Sequence, residues 1–248
     1  MDNLAVIILA AGKGTRMNSD QAKVLHEVAG QPMILYVVDA AIRIAGSEVI
    51  VVVGTQGETV QSVVTARDNH IRFAWQKDQL GTGHAVLSAL PVLPDHIEHV
   101  VILCGDVPLI QADTLNAFME THCNSGHDIT VLAAYMENPK GYGRLITENG
   151  HVRRIVEESD ASSQEKRICH INTGIYCVNR NLLENALSQI NPDNAQNEMY
   201  LTDIVGIAAK DNCRIGMFTC SDNTEMLGIN TPEDLERVAA ILSSDEKS

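Results

Sequence analysis

The sequence predicts an α/β fold: an open, doubly wound, mostly parallel sheet with antiparallel additions in its C-terminal half. Three observations carry that reading. Apolar runs without polar alternation, at residues 6–9 and 99–104, have the composition of strands covered on both faces. These runs alternate with helix-length segments as far as residue 123, the rhythm of repeated β-α units. Beyond residue 128 the rhythm changes, with a hairpin turning at Asn149-Gly150.

Taken in order, strand 5–10 is followed by a helix over about 32–45, and then come the pairs 48–53 with 57–67, 71–76 with 83–90, and 99–104 with 112–123. Strand 128–135 follows, then the hairpin "RLITENGHVRRIVE", whose Asn-Gly pair suits the positive φ angles of a two-residue turn, and then strand 171–178. Antiparallel additions are expected from residue 128 onward. Helices over 180–189 and 200–210, a strand over 214–219 and a last helix near 232–242 complete the chain. That last helix has a marked start, with Thr231 as N-cap, Pro232 at the first position, and Glu233 and Asp234 in the first turn. The closing "SSDEKS" is expected to be a frayed polar tail. One domain is expected over 1–229, with 230–248 supplying a helix and tail packed on it or leading out of it.

No apolar stretch reaches the roughly 18 residues of a membrane span, and "MDNLAVI" lacks the basic start of a signal peptide, so a soluble cytoplasmic protein is expected. The six cysteines show neither CxxC nor metal spacing, which favours reduced residues in or near the core. A net charge of −14 argues against nucleic acid or anionic membranes as partners. A phosphorylated small molecule remains possible if local cations, main-chain donors and a metal ion offset that field.

The loop after the first strand has those features. In "VIILAAGKGTRMNSDQAKVL", Ala10, Ala11, Gly12 and Gly14 remove bulk, so a ligand can approach the main chain. Lys13, Arg16 and Lys23 add positive charge within eleven residues, and Asp20 alone opposes them. The spacing is not that of a P-loop, because Lys13 lies between the glycines, nor that of a dinucleotide fingerprint, because Met17 occupies the third glycine position. An ordinary strand-to-helix turn with solvated cations is the alternative.

Further along, "HVVILCGDVPLI" sets Asp106 just past a buried run, where a carboxylate suits Mg²⁺, an ion that takes one or two protein oxygens and completes its shell with phosphates and water. A turn cap before Pro108 is the plainer reading. In "FAWQKDQLGTGHAV", Gln76 ends a strand and Gly81-Thr82 open a helix, so an amide and open N–H groups are available to a base edge. A simple cap by Thr82 is the alternative, and His84 is taken as a packing or surface residue.

"LAAGKGTRM" with the downstream Lys of "AKVL" resembles the signature of sugar-phosphate nucleotidyltransferases. "LGTGHA", "GDVPL", "GYGRLI", "IVEESDA", "HINTGIY" and "NAQNEMYLTD" narrow the likeness to the uridylyltransferases that make UDP-N-acetylglucosamine, over residues 5 to about 230. The resemblance implies a Rossmann-like (GT-A-like) fold and transfer of uridylyl from UTP to N-acetylglucosamine-1-phosphate with Mg²⁺. It implies that Leu9, Ala10, Ala11 and Gly12, with Gln76, Gly81 and Thr82, hold the nucleotide, and that Arg16 and Lys23 bind its phosphates. By the same likeness Gly143, Glu157, Asn172, Tyr200 and Thr202 form the sugar pocket, while Asp106 and Asn230 hold the metal. The chain departs from the family in Cys104, where an aromatic residue is often found, and in Asn197 and Met199, which replace a more typical Gly and Tyr. Two alternatives stay open: the same reaction on another hexose-1-phosphate, and a non-catalytic regulatory subunit that keeps the nucleotide pocket.

Overall fold

The computed structural model describes residues 3–245. At its centre β1 (Leu4–Ala10) pairs in parallel with β6 (His99–Cys104) on one side and β4 (Val49–Val53) on the other, and β5 (Arg72–Trp75) extends the parallel row. Alternate residues of β1 serve two cores. Leu4, Val6 and Ile8 pack with α1 (Met33–Ala45), α2 (Gly57–Arg67), α4 (Ala112–Ser125) and α7 (Pro232–Asp245), whereas Ala5 and Ile7 pack with α3 (Thr82–Ala89), α5 (Arg180–Leu187) and α6 (Asp203–Lys210). Covering both faces explains why β1 and β4 are apolar at every position.

The far side of the sheet corrects one expectation. The order is β11-β7-β10-β6-β1-β4-β5, and β10 (His170–Asn179) is antiparallel to both β6 and β7 (Ile129–Tyr135). β7 therefore runs with β6, and β11 (Ile215–Thr219) runs parallel to β7, so strands expected at 128–135 and 214–219 are not antiparallel additions to their own direction of winding. The reason is connectivity. A crossover through α4 returns the chain to β7 in the direction of β6, and β10 is inserted between them afterwards. Antiparallel pairing within this sheet is confined to β10 and the hairpin it carries, β8 (Gly143–Glu148) and β9 (His151–Val156). That hairpin turns where expected, with Asn149 at φ 52° and Gly150 at φ 80°. An unanticipated two-stranded ribbon, β2 (Glu27–Val28) with β3 (Gln31–Pro32), precedes α1.

Helix α6 begins at Asp203 and not at residue 200, because the backbone before it is engaged elsewhere. Met199 N–H donates to Leu80 O at 2.7 Å, Gly83 N–H to Met199 O at 2.7 Å, and Leu201 N–H to Thr82 Oγ1 at 3.0 Å. The start of α7 follows the expected box: Asp234 N–H donates to Thr231 Oγ1, while Asp234 Oδ2 accepts from the N–H groups of Asn230 and Thr231. The helix continues to Asp245, beyond the expected end at 242, and the tail from 246 lies outside the described residues. Among the described residues no helix is long and apolar enough to cross a membrane, and no disulfide links the cysteines.

At the edge of the sheet opposite the strand ends that carry the site, His122 is fully buried, its ring 5.3 Å from that of His99 and its Nδ1 2.9 Å from Thr130 Oγ1. Burial, with His99 and His127 adding to it, lowers its pKa to about 4. The folded state then binds fewer protons than the unfolded state as pH falls from the ordinary histidine range toward 4, so stability is lost across that interval. The expected loss between pH 7 and pH 5 is on the order of 2 kcal/mol. Urea unfolding at the two pH values should show that difference shrinking in His122→Gln; an unchanged difference would exclude His122 as its source.

Candidate active site

The loop after β1 is shaped by contacts that leave little choice of residue. Gly14 has φ 60°, and a Cβ placed on it would lie 2.6 Å from Lys23 Cβ, so any side chain there would strain the backbone and push Lys23 away. Gly12, by contrast, faces open space. Met17 is buried and anchors a single 3₁₀ turn over Thr15–Met17, from which Arg16 projects outward. Gln56 fastens the far side of the loop, accepting from Ala22 N–H at 2.5 Å and donating to Asp20 O.

Three remote segments then converge. Gly105 N–H donates to Leu9 O at 2.9 Å, which sets Asp106 beside the loop, and Ile229 N–H donates to Asp106 O at 2.9 Å, which brings Asn230 alongside. Lys23 Nζ forms an ion pair with Asp106 and donates to Asn230 Oδ1 at 3.0 Å, and Arg16 Nη2 donates to the same Oδ1 at 2.8 Å. The two residues expected to bind phosphate thus contact the two expected to hold a metal, Lys23 neutralising Asp106 and both cations donating to Asn230. Among the described residues no group of three His, Cys, Asp or Glu side chains could hold an ion alone. One carboxylate with one carboxamide oxygen nevertheless fits Mg²⁺, provided phosphate oxygens complete the shell.

Lys23 and Asp106 border a cavity of about 440 Å³ whose walls also include Cys104 and Leu9, Ala10, Ala11, Gly12, Gln76, Gly81 and Thr82, the whole expected nucleotide set; Arg16 and Asn230 reach it through Lys23. Gln76 is buried, and its amide donates to Gly81 O at 2.9 Å and lies 3.2 Å from His84 Nδ1. His84 is therefore not a bystander, since it helps fix the orientation of Gln76. Thr82 does not cap its helix; its hydroxyl accepts from Leu201 N–H. Gly81, at φ 111°, abuts the Met199 backbone, where a Cβ would meet Met199 O at 2.6 Å. Sequence reading missed Gln79 and Glu198 as cavity walls. Gln79 lies in the loop after Gln76, where no periodicity marks it, and nothing local marks Glu198.

The expected sugar residues gather next to this cavity. β10 runs opposite to β6, so its first half, with Asn172, lies at the edge where β6 ends. Asn172 pairs with Gly143 across β8, and a Cβ on Gly143 would lie 3.1 Å from Ile155 Cγ2 and 3.4 Å from Glu157 Oε2. Asn172 donates to Tyr176 OH at 2.8 Å and accepts from Gly174 N–H, which fixes its amide. Burial pushes the Glu157 carboxyl above its usual range, partly offset by the nearby Thr202 hydroxyl and reinforced by Asp160 and Asp203. Thr202 is buried, and its Oγ1, though near enough to Glu157 to lower that carboxyl, makes no hydrogen bond of ordinary geometry among the described residues. Glu157, Tyr200 and Thr202 line a second cavity of about 430 Å³. Gly143 and Asn172 are held beside Glu157 and belong to the wall of neither cavity.

The departures from the expected pattern have physical accounts. Asn197 has φ 54°, the left-handed region where Asn is the best substitute for Gly. Met199 acts through its backbone, as described above. Burial, with Asp106 adding to it, pushes the Cys104 thiol up to about 12, so it is a small neutral group beside Gly174 O.

A cavity at the strand ends beside a cationic, glycine-containing loop suits a phosphorylated ligand, and the chain belongs to the MobA-like NTP transferase domain family, whose pattern matches residues 6–170. It is 48% identical over 243 residues to the bifunctional protein GlmU of Heliobacterium modesticaldum, covering 98% of this chain and 52% of that protein. It is 45% identical to GlmU of Geotalea uraniireducens over 98% of this chain and 53% of that one. With GlmU of Desulfotalea psychrophila it shares 42% identity over 94% of this chain and 68% of the relative. The chain thus spans about half the length of the first two. A solved Bacillus anthracis structure in complex with a sucrose, described as a candidate glucose-1-phosphate thymidylyltransferase, matches with a TM-score of 0.73 over 96% of this chain and 94% of that one. At 20% identity that likeness establishes the fold.

Proposed function

We propose that this chain is a uridylyltransferase that converts UTP and N-acetylglucosamine-1-phosphate to UDP-N-acetylglucosamine and pyrophosphate. The observation that carries the reading is the meeting of Arg16, Lys23, Asp106 and Asn230 at the mouth of a cavity lined by residues 9–12 and Gln76. In this mechanism an oxygen of the sugar phosphate attacks the α-phosphorus of UTP in line. The new P–O bond forms as the bond to the β-phosphate oxygen breaks, and the electron pair leaves with pyrophosphate. The attacking phosphate is already ionised, so no side chain has to remove a proton, and orientation with charge neutralisation suffices. Arg16 and Lys23 exchange Asn230 and Asp106 for phosphate oxygens as the nucleotide binds. Mg²⁺, held by Asp106 and Asn230 with phosphate oxygens, would supply further neutralisation of the leaving group. Residues 9–12, Gln76, Gly81 and Thr82 take the nucleoside, and Gly143, Glu157, Asn172, Tyr200 and Thr202 take the sugar. The substrates are small molecules of the cytoplasm, and the net charge of −14 opposes nucleic acid as an alternative ligand.

A second reading, the same transfer onto another hexose-1-phosphate, is favoured by one observation, the small Cys104 between Asp106 and Gly174. Pyrophosphate release with UTP, Mg²⁺ and a panel of sugar-1-phosphates separates the two. The expected result is a kcat/KM at least about tenfold higher for N-acetylglucosamine-1-phosphate than for glucose-1-phosphate, since polar groups such as Thr202 Oγ1 stay unpaired when the amide is missing. Equal values would remove the specificity and leave the reaction class. Absence of release with every sugar phosphate of the panel would favour a regulatory subunit.

A further inference from the structure

Among the described residues Arg144 is the bulkiest fully buried side chain, 1% exposed. Removing a guanidinium from water is unfavourable unless its donors meet fixed acceptors. Here Nη1 donates to Tyr142 O, Nη2 donates to Glu158 Oε2 at 2.6 Å and more weakly to Lys166 O at 3.4 Å, and Nε has no partner. Glu158 answers this grip. Burial pushes its carboxyl up, but Arg144 and the Gly141 amide hold it below the usual carboxylate range.

The placement of those contacts is informative. Arg144 pairs with Val156 across the hairpin and with Ile171 of β10, so its backbone lies between the strands that carry Glu157 and Asn172. Its acceptors, Tyr142 O and Glu158, are the immediate neighbours of Gly143 and Glu157, the two residues whose side-chain positions come within 3.4 Å of each other. Successive residues of a strand point to opposite faces, so Arg144 fastens this pair from behind while Gly143 faces Glu157. The contacts described for Arg144 all lie outside the nucleotide cavity.

We propose that Arg144, acting with Glu158, is a positioning residue for the sugar phosphate, setting the spacing of Gly143 and Glu157 without contributing to the nucleotide half of the site. The inference rests on the sugar-binding role given to those two residues above. A lysine at 144 keeps the charge but has no fork, and it cannot serve Tyr142 O and Glu158 together. A merely structural role would lower turnover and affect both substrates alike.

The test is initial-rate kinetics on the intact chain with UTP, Mg²⁺ and the best sugar-1-phosphate of the panel, together with calorimetric titration of UTP alone. Arg144→Lys should raise KM for the sugar phosphate about tenfold and leave KM and affinity for UTP within about twofold. Glu158→Gln, at a side chain 31% exposed that keeps an acceptor oxygen, should shift the same KM about threefold in the same direction, and it carries the test alone if Arg144→Lys does not fold. Equal changes in both KM values, or none, in whichever variant folds would overturn the positioning role while wild-type turnover upholds the functional reading. A wild-type chain that turns over no sugar phosphate would overturn both.

Discussion

Replacing Asp106 by Asn should cut the rate of pyrophosphate release by about 10²- to 10³-fold, the scale of losing one charge-stabilising group in a water-poor site. Asp106 is the anionic side chain paired with Lys23 in the network with Arg16 and Asn230. An amide in its place leaves two neutral oxygens to hold Mg²⁺, and it also leaves Lys23 without its counter-ion before substrate arrives. Asn230→Ala should be milder and should raise the Mg²⁺ concentration for half-maximal rate more than it lowers the limiting rate. The structure adds a reason for some loss even at saturating metal, since Asn230 Oδ1 also accepts from Arg16 and Lys23. If both residues hold one ion, and because both bond Lys23, the double variant should be less impaired than the product of the single defects. The measurement is a Mg²⁺ titration of initial rate for all four proteins, with calorimetry of UTP and Mg²⁺ as an activity-independent check. Strictly multiplicative defects, or an unchanged Mg²⁺ requirement in Asn230→Ala, would take Asn230 out of the metal site.

The parallel half of the fold was legible because a strand covered on both faces must be apolar, and residues 5–10, 49–53 and 100–104 are. The direction of β7 and β11 was not legible. Strand composition carries no sign of direction, and the later insertion of β10 between β6 and β7 is a long-range event that neither strand records. The Asn149-Gly150 turn, in contrast, is encoded in two adjacent residues whose positive φ angles determine it.

The site divides along the same line between local and remote causes. Gly14 could be singled out because its residue type answers a local backbone demand, although the partner that makes it necessary, Lys23, lies nine positions on. The convergence of Asp106 with Asn230 was expected from the family resemblance alone, and the Ile229-to-Asp106 backbone bond is what brings it about. The role of Glu198 did not follow, because it depends on the 198–202 segment crossing the start of α3, and that of His84 appears only when the first turn of α3 meets Gln76 at the end of β5. Arg144 was legible only as part of a motif; its burial appears once β10, the hairpin and residues 158–166 are assembled around it.

Arg16→Ala is expected to leave the fold intact and to lower kcat roughly 30- to 1,000-fold, the equivalent of about 2 to 4 kcal/mol of transition-state stabilisation. The fold should tolerate the change because Arg16 is exposed, and its described side-chain hydrogen bond, to Asn230, is one that Lys23 also makes. Met17, not Arg16, anchors the turn. Catalysis should not tolerate it. As pyrophosphate departs, charge collects on its oxygens, and a guanidinium that can leave Asn230 for those oxygens stabilises that state more than the bound substrate. The loss should therefore fall on kcat more than on KM for UTP. Arg16→Lys offers a sharper comparison, since it keeps the charge but not the paired donors. It should recover part of the rate if charge dominates and almost none if the geometry of the fork dominates. Thermal melting by circular dichroism beside the kinetics separates folding from chemistry. A folded Arg16→Ala with near-normal kcat would reduce Arg16 to a solvated loop cation and leave Lys23 as the phosphate-binding side chain of the loop.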